Sequence, residues 1–171
     1  EYNFSRLRRG GYRKGLDAAG LAYDPDLVRD DARLSSDGAA ATTALLTRPD
    51  PPTAIVYATD EAALGAYQAA AALGLQIGSD LSIIAYDGIP EGIHARPALT
   101  TFSVDTRGAG ERLAELLIRR IRGEAPEDLR ETAHATLVDR GSDGPPRLSS
   151  HALAEHVASA AHGLTSKGGH P

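Results

Sequence analysis

Between residues 5 and 19, Leu7, Tyr12, Leu16 and Ala19 recur near helical spacing, with Arg6, Arg8, Arg9, Arg13, Lys14 and Asp17 between them. A helix is predicted there, stopped by Gly20. Ser36, just ahead of Asp37, is placed to cap a second helix through Leu46, which Pro49, Pro51 and Pro52 bring to an end. Ala54-Ile55-Val56-Tyr57-Ala58 then reads as a short buried strand. Thr59-Asp60-Glu61 opens a helix that Gly74 closes, and an apolar run returns from Leu81 to Tyr86, read as a strand buried on both faces. Strand, helix and strand in that order form a βαβ unit, so the fold class is α/β with a parallel sheet. After Pro97, residues 98–104 (ALTTFSV) are strand-like. Asp105 caps a helix with Leu113, Leu116, Leu117, Ile118 and Ile121 on one stripe, ended by Gly123 and Pro126, and Thr132 to Val138 alternates as a last strand.

Two segments stand apart from this pattern. The helix from Glu61 to Leu73 has almost no polar face, which implies burial all round. One face covers the sheet and the other meets a second subunit, the alternative being an alanine-rich surface helix. Beyond Arg140 comes Gly-Ser-Asp-Gly-Pro-Pro and then a small, polar, alanine-rich tail over 146–171. At most one weak helix, around Ser150 to His162, is expected in it, with disorder or loose docking.

Composition narrows the function classes. The 171 residues suffice for one domain with a core, and 18 Lys+Arg against 23 Asp+Glu give a net charge of -5, without the positive field that draws a protein onto nucleic acid. The absence of cysteine excludes disulfides and thiolate metal sites. Apolar runs fall short of the roughly 18 residues that span a bilayer, and the first residues lack the core of a secretory signal, so a soluble chain is expected. The chain contains no methionine and begins with Glu1, which suggests a piece of a longer product.

In open α/β sheets, ligands collect beyond the carboxyl ends of the strands. Asp60 and Asp87 both fall there. Asp60 is read as capping its own helix. Asp87 ends an apolar strand, where a desolvated carboxylate requires a cation or a hydrogen-bonding ligand. The cluster Arg6-Leu7-Arg8-Arg9 offers the cation, since one of its guanidinium forks can turn inward as well as face solvent. A magnesium-dependent phosphoryl-transfer enzyme using Asp60 and Asp87 is an alternative, but no lysine occurs between Lys14 and Lys167 to serve it. No nucleophile elbow, glycine-rich nucleotide fingerprint or zinc spacing is present, so no catalytic residue, metal or cofactor is expected. Four of the six histidines, His151, His156, His162 and His170, lie in the tail without sharing a helical face and read as incidental.

Five stretches in order, SRLRRGGY at 5–12, PTAI with TDEAALGA between 52 and 66, DLSIIAYD at 80–87, PALTT at 97–101 and LVDRGS at 137–142, resemble the lactose-repressor/galactose-repressor family of bacterial transcription regulators. The resemblance implies a periplasmic-binding-protein-like (type I) effector module: two α/β lobes, a small sugar or nucleobase between them, and closure that alters DNA affinity. Residues 1–145 would be mainly the C-terminal lobe, with the helix at about 106–122 belonging to the other lobe. Arg8 matches the arginine that reaches the effector and Asp87 the strand-end aspartate that accepts from ligand hydroxyls. Thr59 stands where the family usually has asparagine, and Gly88 replaces a frequent second aspartate. Asp60, Tyr86 and Phe102 are further candidates. The implied partners are a carbohydrate-like effector, a second copy through the 61–73 helix, and operator DNA only through a headpiece absent from these residues. A cytoplasmic, non-enzymatic protein follows. A periplasmic solute-binding protein of the same fold is the other reading.

Overall fold

The computed structural model describes residues 3–166. Of the tail histidines, His170 lies outside the described residues, as does the side chain of His162. Four strands form one sheet in the order β1 (Ala54–Val56), β2 (Ser82–Asp87), β3 (Thr100–Ser103), β4 (Thr136–Val138). The first three are parallel, with Ile55 opposite Ile83 and Asp87 opposite Ser103, and β4 runs antiparallel to β3. The predicted parallel βαβ unit is therefore present, β1 and β2 being joined by α3 (Asp60–Ala72). β4 is shorter than the alternation from Thr132 implied, because β3 offers partners only for Thr136, Leu137 and Val138.

One face of the sheet carries the core. Leu81, Ile83, Ala85 and Leu99 pack with Ala62, Ala63, Ala66 and Ala70 of α3 and with Leu46 of α2 (Ser35–Leu46). α2 and α3 approach backbone to backbone. A Cβ on Gly38 would lie 1.9 Å from the carbonyl oxygen of Ala62, and one on Gly65 1.9 Å from that of Ser35. Only glycine admits that contact. The all-apolar character of α3 is thus accounted for within the chain: the sheet takes one face and α2 the other, so its burial requires no second subunit.

The opposite face of the sheet is half open, which corrects the reading of β1 as a buried strand and of β2 as buried on both faces. Val56 and Ile84, then Tyr86, Phe102 and Leu137, share that face through the strand register, and Val56 is 66% exposed. Hydrophobic composition shows that a strand is apolar but not which of its faces the chain covers. The start of α2 also differs from expectation. Ser36 is not its cap; Asp37 reaches back to accept the N–H groups of Arg33 and Leu34 at 3.1 and 3.0 Å, and those two bonds hold its carboxyl below the usual aspartate value.

The tail is a structural element, not a loose appendage. α5 (Ser150–Ser166) lays Leu153 and Val157, 0% and 3% exposed, into the core beside Leu46, Leu73 and Leu75. Ahead of it Arg147 grips the buried carboxylate of Asp80 with Nε at 3.0 Å and Nη2 at 2.8 Å. His156 Nε2 lies 3.1 Å from the carbonyl of Leu73 at the end of α3. Low complexity misled here because two apolar residues four apart suffice to dock a helix.

α1 (Asn3–Ala18) and α4 (Thr106–Ile121) bury no residue. α4 stands away from the core with Leu113, Leu117 and Ile121 at 66%, 60% and 77% exposure. Its Asp105 cap is as predicted, accepting from Gly108 N–H at 2.8 Å.

Candidate functional site

The carboxyl ends of β1, β2 and β3 lie side by side, and Asp87 closes the middle one. Its backbone is unusual. Asp87 has φ 130° and Gly88 φ 79°, so the chain turns sharply out of the sheet, and a non-glycine residue in such a conformation stores strain of about 1–3 kcal/mol. Gly88 is required at its position, since a Cβ there would meet Ser103 Oγ at 2.4 Å.

Across from Asp87 stands Arg8. Its Nη2 lies 3.5 Å from Asp87 Oδ1, and its Nη1 donates to the carbonyl of Ala58 at the end of the β1 region. The guanidinium lies over the ring of Tyr86, 3.8 Å from the centroid, with Phe4 on another side at 4.9 Å. Tyr86 in turn stacks on Phe102 at 6.3 Å and 24°. Of the inward candidates Arg6, Arg8 and Arg9, Arg8 is the one on Asp87: Arg6 bonds Asn3, and Arg9 pairs with Asp30 at 2.7 Å. α1 is attached by such contacts, including Arg13 over the Tyr23 ring at 4.0 Å, and not by apolar burial.

Burial pushes the Asp87 carboxyl above its ordinary value; Arg8 opposes that push and the nearby charge of Asp60 adds to it. Its side chain stays 39% exposed, so the pair remains open to a ligand on one side. Thr59 caps α3, its oxygen accepting from Ala62 N–H at 3.3 Å, which leaves the hydroxyl proton to be donated.

Asp60 is elsewhere in role. It does not cap its own helix, as expected from sequence, because Thr59 does. Asp60 is fully buried; Oδ2 accepts from the N–H groups of Gly88 and Ile89 at 2.8 and 2.9 Å, and Oδ1 accepts from Thr101 Oγ1 at 2.6 Å. Both oxygens are engaged, so Asp60 and Asp87 do not form the open carboxylate pair that the phosphoryl-transfer alternative requires. Ser142, within the LVDRGS stretch, has a structural part that its sequence position does not signal: its Oγ donates to Ile83 O at 2.7 Å and accepts from Thr100 N–H at 2.8 Å, stapling β2 to β3. Two hollows of about 360 and 400 Å³ lie away from Asp87, one between Tyr67 and Pro97 and one between Leu46 and α5. Neither hollow is lined by Arg8 or Asp87.

Residues 1–142 match the family described as periplasmic binding protein-like domain. The chain belongs to that family. Within it, the HTH-type transcriptional regulator AglR of Rhizobium meliloti (strain 1021) is 38% identical over 149 residues, which are 83% of this chain and 41% of that protein. A solved LacI family transcriptional regulator from Mycobacterium smegmatis is 32% identical with a TM-score of 0.74, covering 85% of this chain and 54% of that one. A LacI family regulator from Arthrobacter sp. FB24, solved in complex with lactose, is 28% identical with a TM-score of 0.61, covering 66% of this chain and 42% of that one. The chain thus spans about half the length of the family members it matches, or less, and α5 lies beyond the family's matched residues. The resemblance to the lactose-repressor/galactose-repressor regulators holds.

Proposed function

We propose that this chain supplies one wall of the effector site of a bacterial transcriptional regulator, with Arg8 and Asp87 taking the hydroxyl groups of a small carbohydrate-like ligand. The observation that carries the reading is the guanidinium of Arg8 set 3.5 Å from a strained, half-exposed carboxylate at the end of the central strand. A carboxylate accepts two hydroxyl protons and a guanidinium donates to sugar oxygens, so the pair suits vicinal hydroxyls. Thr59 adds a donor, and Tyr86 with Phe102 an apolar flank. Hydrogen bonds to charged groups contribute about 1.5–3 kcal/mol each. Two of them correspond to roughly millimolar affinity for the wall alone. Transmission of that binding requires a ligand that favours one lobe arrangement over another.

Such a regulator works in the cytoplasm, and among the described residues no helix is long and apolar enough to cross a membrane. The net charge of -5 provides no field for operator DNA, so DNA contact is assigned to a headpiece carried elsewhere in the protein. A homodimer through the 61–73 helix has the exposed Glu61, Gln68, Ala71 and Ala72 and the partly buried Leu64 and Tyr67 to draw on. Sedimentation as a strict monomer at micromolar concentration removes the dimer.

The test of the effector reading is residue-resolved NMR with lactose at millimolar concentration. Saturable shifts at Arg8, Tyr86 and Asp87, lost in Asp87→Ala while the remaining spectrum keeps its dispersion, support it. Shifts that persist unchanged in Asp87→Ala, or no shifts with any sugar of a mono- and disaccharide panel, contradict it.

A further inference from the structure

We propose that Asp60 is the positioning residue of the effector site: its buried carboxylate fixes the backbone at Gly88 and Ile89 and thereby holds Asp87 in the turned-out conformation that faces Arg8. The inference rests on the reading of Asp87 as the group that accepts ligand hydroxyls. Asp87 adopts φ 130°, which an aspartate does not hold unless its neighbours impose it. The first two N–H groups after it both end on Asp60 Oδ2, at 2.8 and 2.9 Å. The carbonyl of Asp87, in the same peptide unit as the Gly88 N–H, accepts from Val104 N–H at 3.2 Å. The peptide that follows the aspartate is therefore held through both its N–H and its carbonyl.

The chemistry of Asp60 fits this task better than it fits general stabilisation. Helix capping is already done by Thr59. A buried carboxylate costs free energy that an apolar residue of similar size would not. Here the cost is offset by three charge-assisted bonds to two elements: two to the loop after β2 and one, at 2.6 Å, to Thr101 in β3. Since Asp60 opens α3, the helix that follows β1, one carboxylate ties the start of that helix to the loop after β2 and to Thr101 within β3. No part of it faces the proposed ligand, so it acts through Asp87.

The experiment compares Asp60→Ala and Asp60→Asn with wild type in amide hydrogen exchange and lactose titration by NMR. Leu153→Ala, at the far end of the core, controls for lost stability. In Asp60→Asn the amide oxygen can still accept from Gly88 and Ile89, so exchange protection and lactose affinity stay within about threefold of wild type. Asp60→Ala leaves those two N–H groups unpaired; their protection and the lactose affinity both fall by about tenfold or more. Wild-type values for Gly88 and Ile89 exchange in Asp60→Ala overturn the proposal, as does the same loss in Leu153→Ala. A wild-type chain that ignores lactose removes the effector reading instead, and the exchange data then decide the clamp alone.

Discussion

Tyr57 shows how much a single buried phenol contributes. Its hydroxyl lies 2.5 Å from Thr42 Oγ1, which itself donates to Gly38 O, so Tyr57 is the donor between them. Burial pushes its pKa up to about 12 from 10.0, the hydrogen bond to Thr42 opposing only part of that push. Between those two pH values the unfolded chain loses a proton that the folded chain keeps. The unfolded state then binds fewer protons, so stability falls as pH rises, by about 1.4 kcal/mol per unit at most from this group. Tyr57→Phe flattens that decline in alkaline denaturation curves, and Thr42 remains satisfied through Gly38. Tyr67, also raised to about 12, leaves a residual slope. At the same scale the need of Asp87 for a cation from the Arg6-Leu7-Arg8-Arg9 cluster was legible in the sequence, because a charge ending an apolar strand demands a partner, while the choice of Arg8 among them came from the family resemblance. The part played by Asp60 was not: an acid at a helix start has a cheap local use, and only the fold reveals that Thr59 has taken it.

At the scale of elements, α5 decides whether the core is closed. Leu153 is fully buried among Leu46, Leu73 and Leu75, so Leu153→Ala costs about 2–5 kcal/mol, read as a lowered denaturant midpoint with little change in slope. A tail docked loosely would lose less than about 0.5 kcal/mol from that substitution. The elements that carry a repeating signal of their own, α1, α3 and the parallel strands, were readable from periodicity and punctuation. α5 was underestimated for a physical reason: alanine and serine on its remaining faces give no pattern, and its docking rests on contacts far away in the chain. The Arg147 grip on Asp80 spans 67 positions and has no local signature.

The whole molecule is asymmetric. The core lies on one side of the sheet, while α4 and the outward face around Val56, Phe102 and Leu137 present apolar side chains to solvent. The stripe on α4 was visible in the sequence, and the structure leaves that helix without buried residues. Because Leu117 and Ile121 bury little here, Leu117→Glu and Ile121→Glu shift thermal stability by no more than about 0.5 kcal/mol and reduce self-association in light scattering. Leu81→Ala, by contrast, removes a fully buried side chain and costs about 2–5 kcal/mol.

The central claim is that Arg8 and Asp87 act together on one ligand, and a double-mutant cycle on lactose binding tests it most directly. Affinities are measured by NMR titration of the wild-type chain, Arg8→Ala, Asp87→Ala and the double variant. The pair as described predicts that each single change weakens binding by about tenfold and that the double loses clearly less than the product of the two, since both belong to one interaction. Losses that simply multiply, or an Asp87→Ala affinity equal to wild type, contradict it.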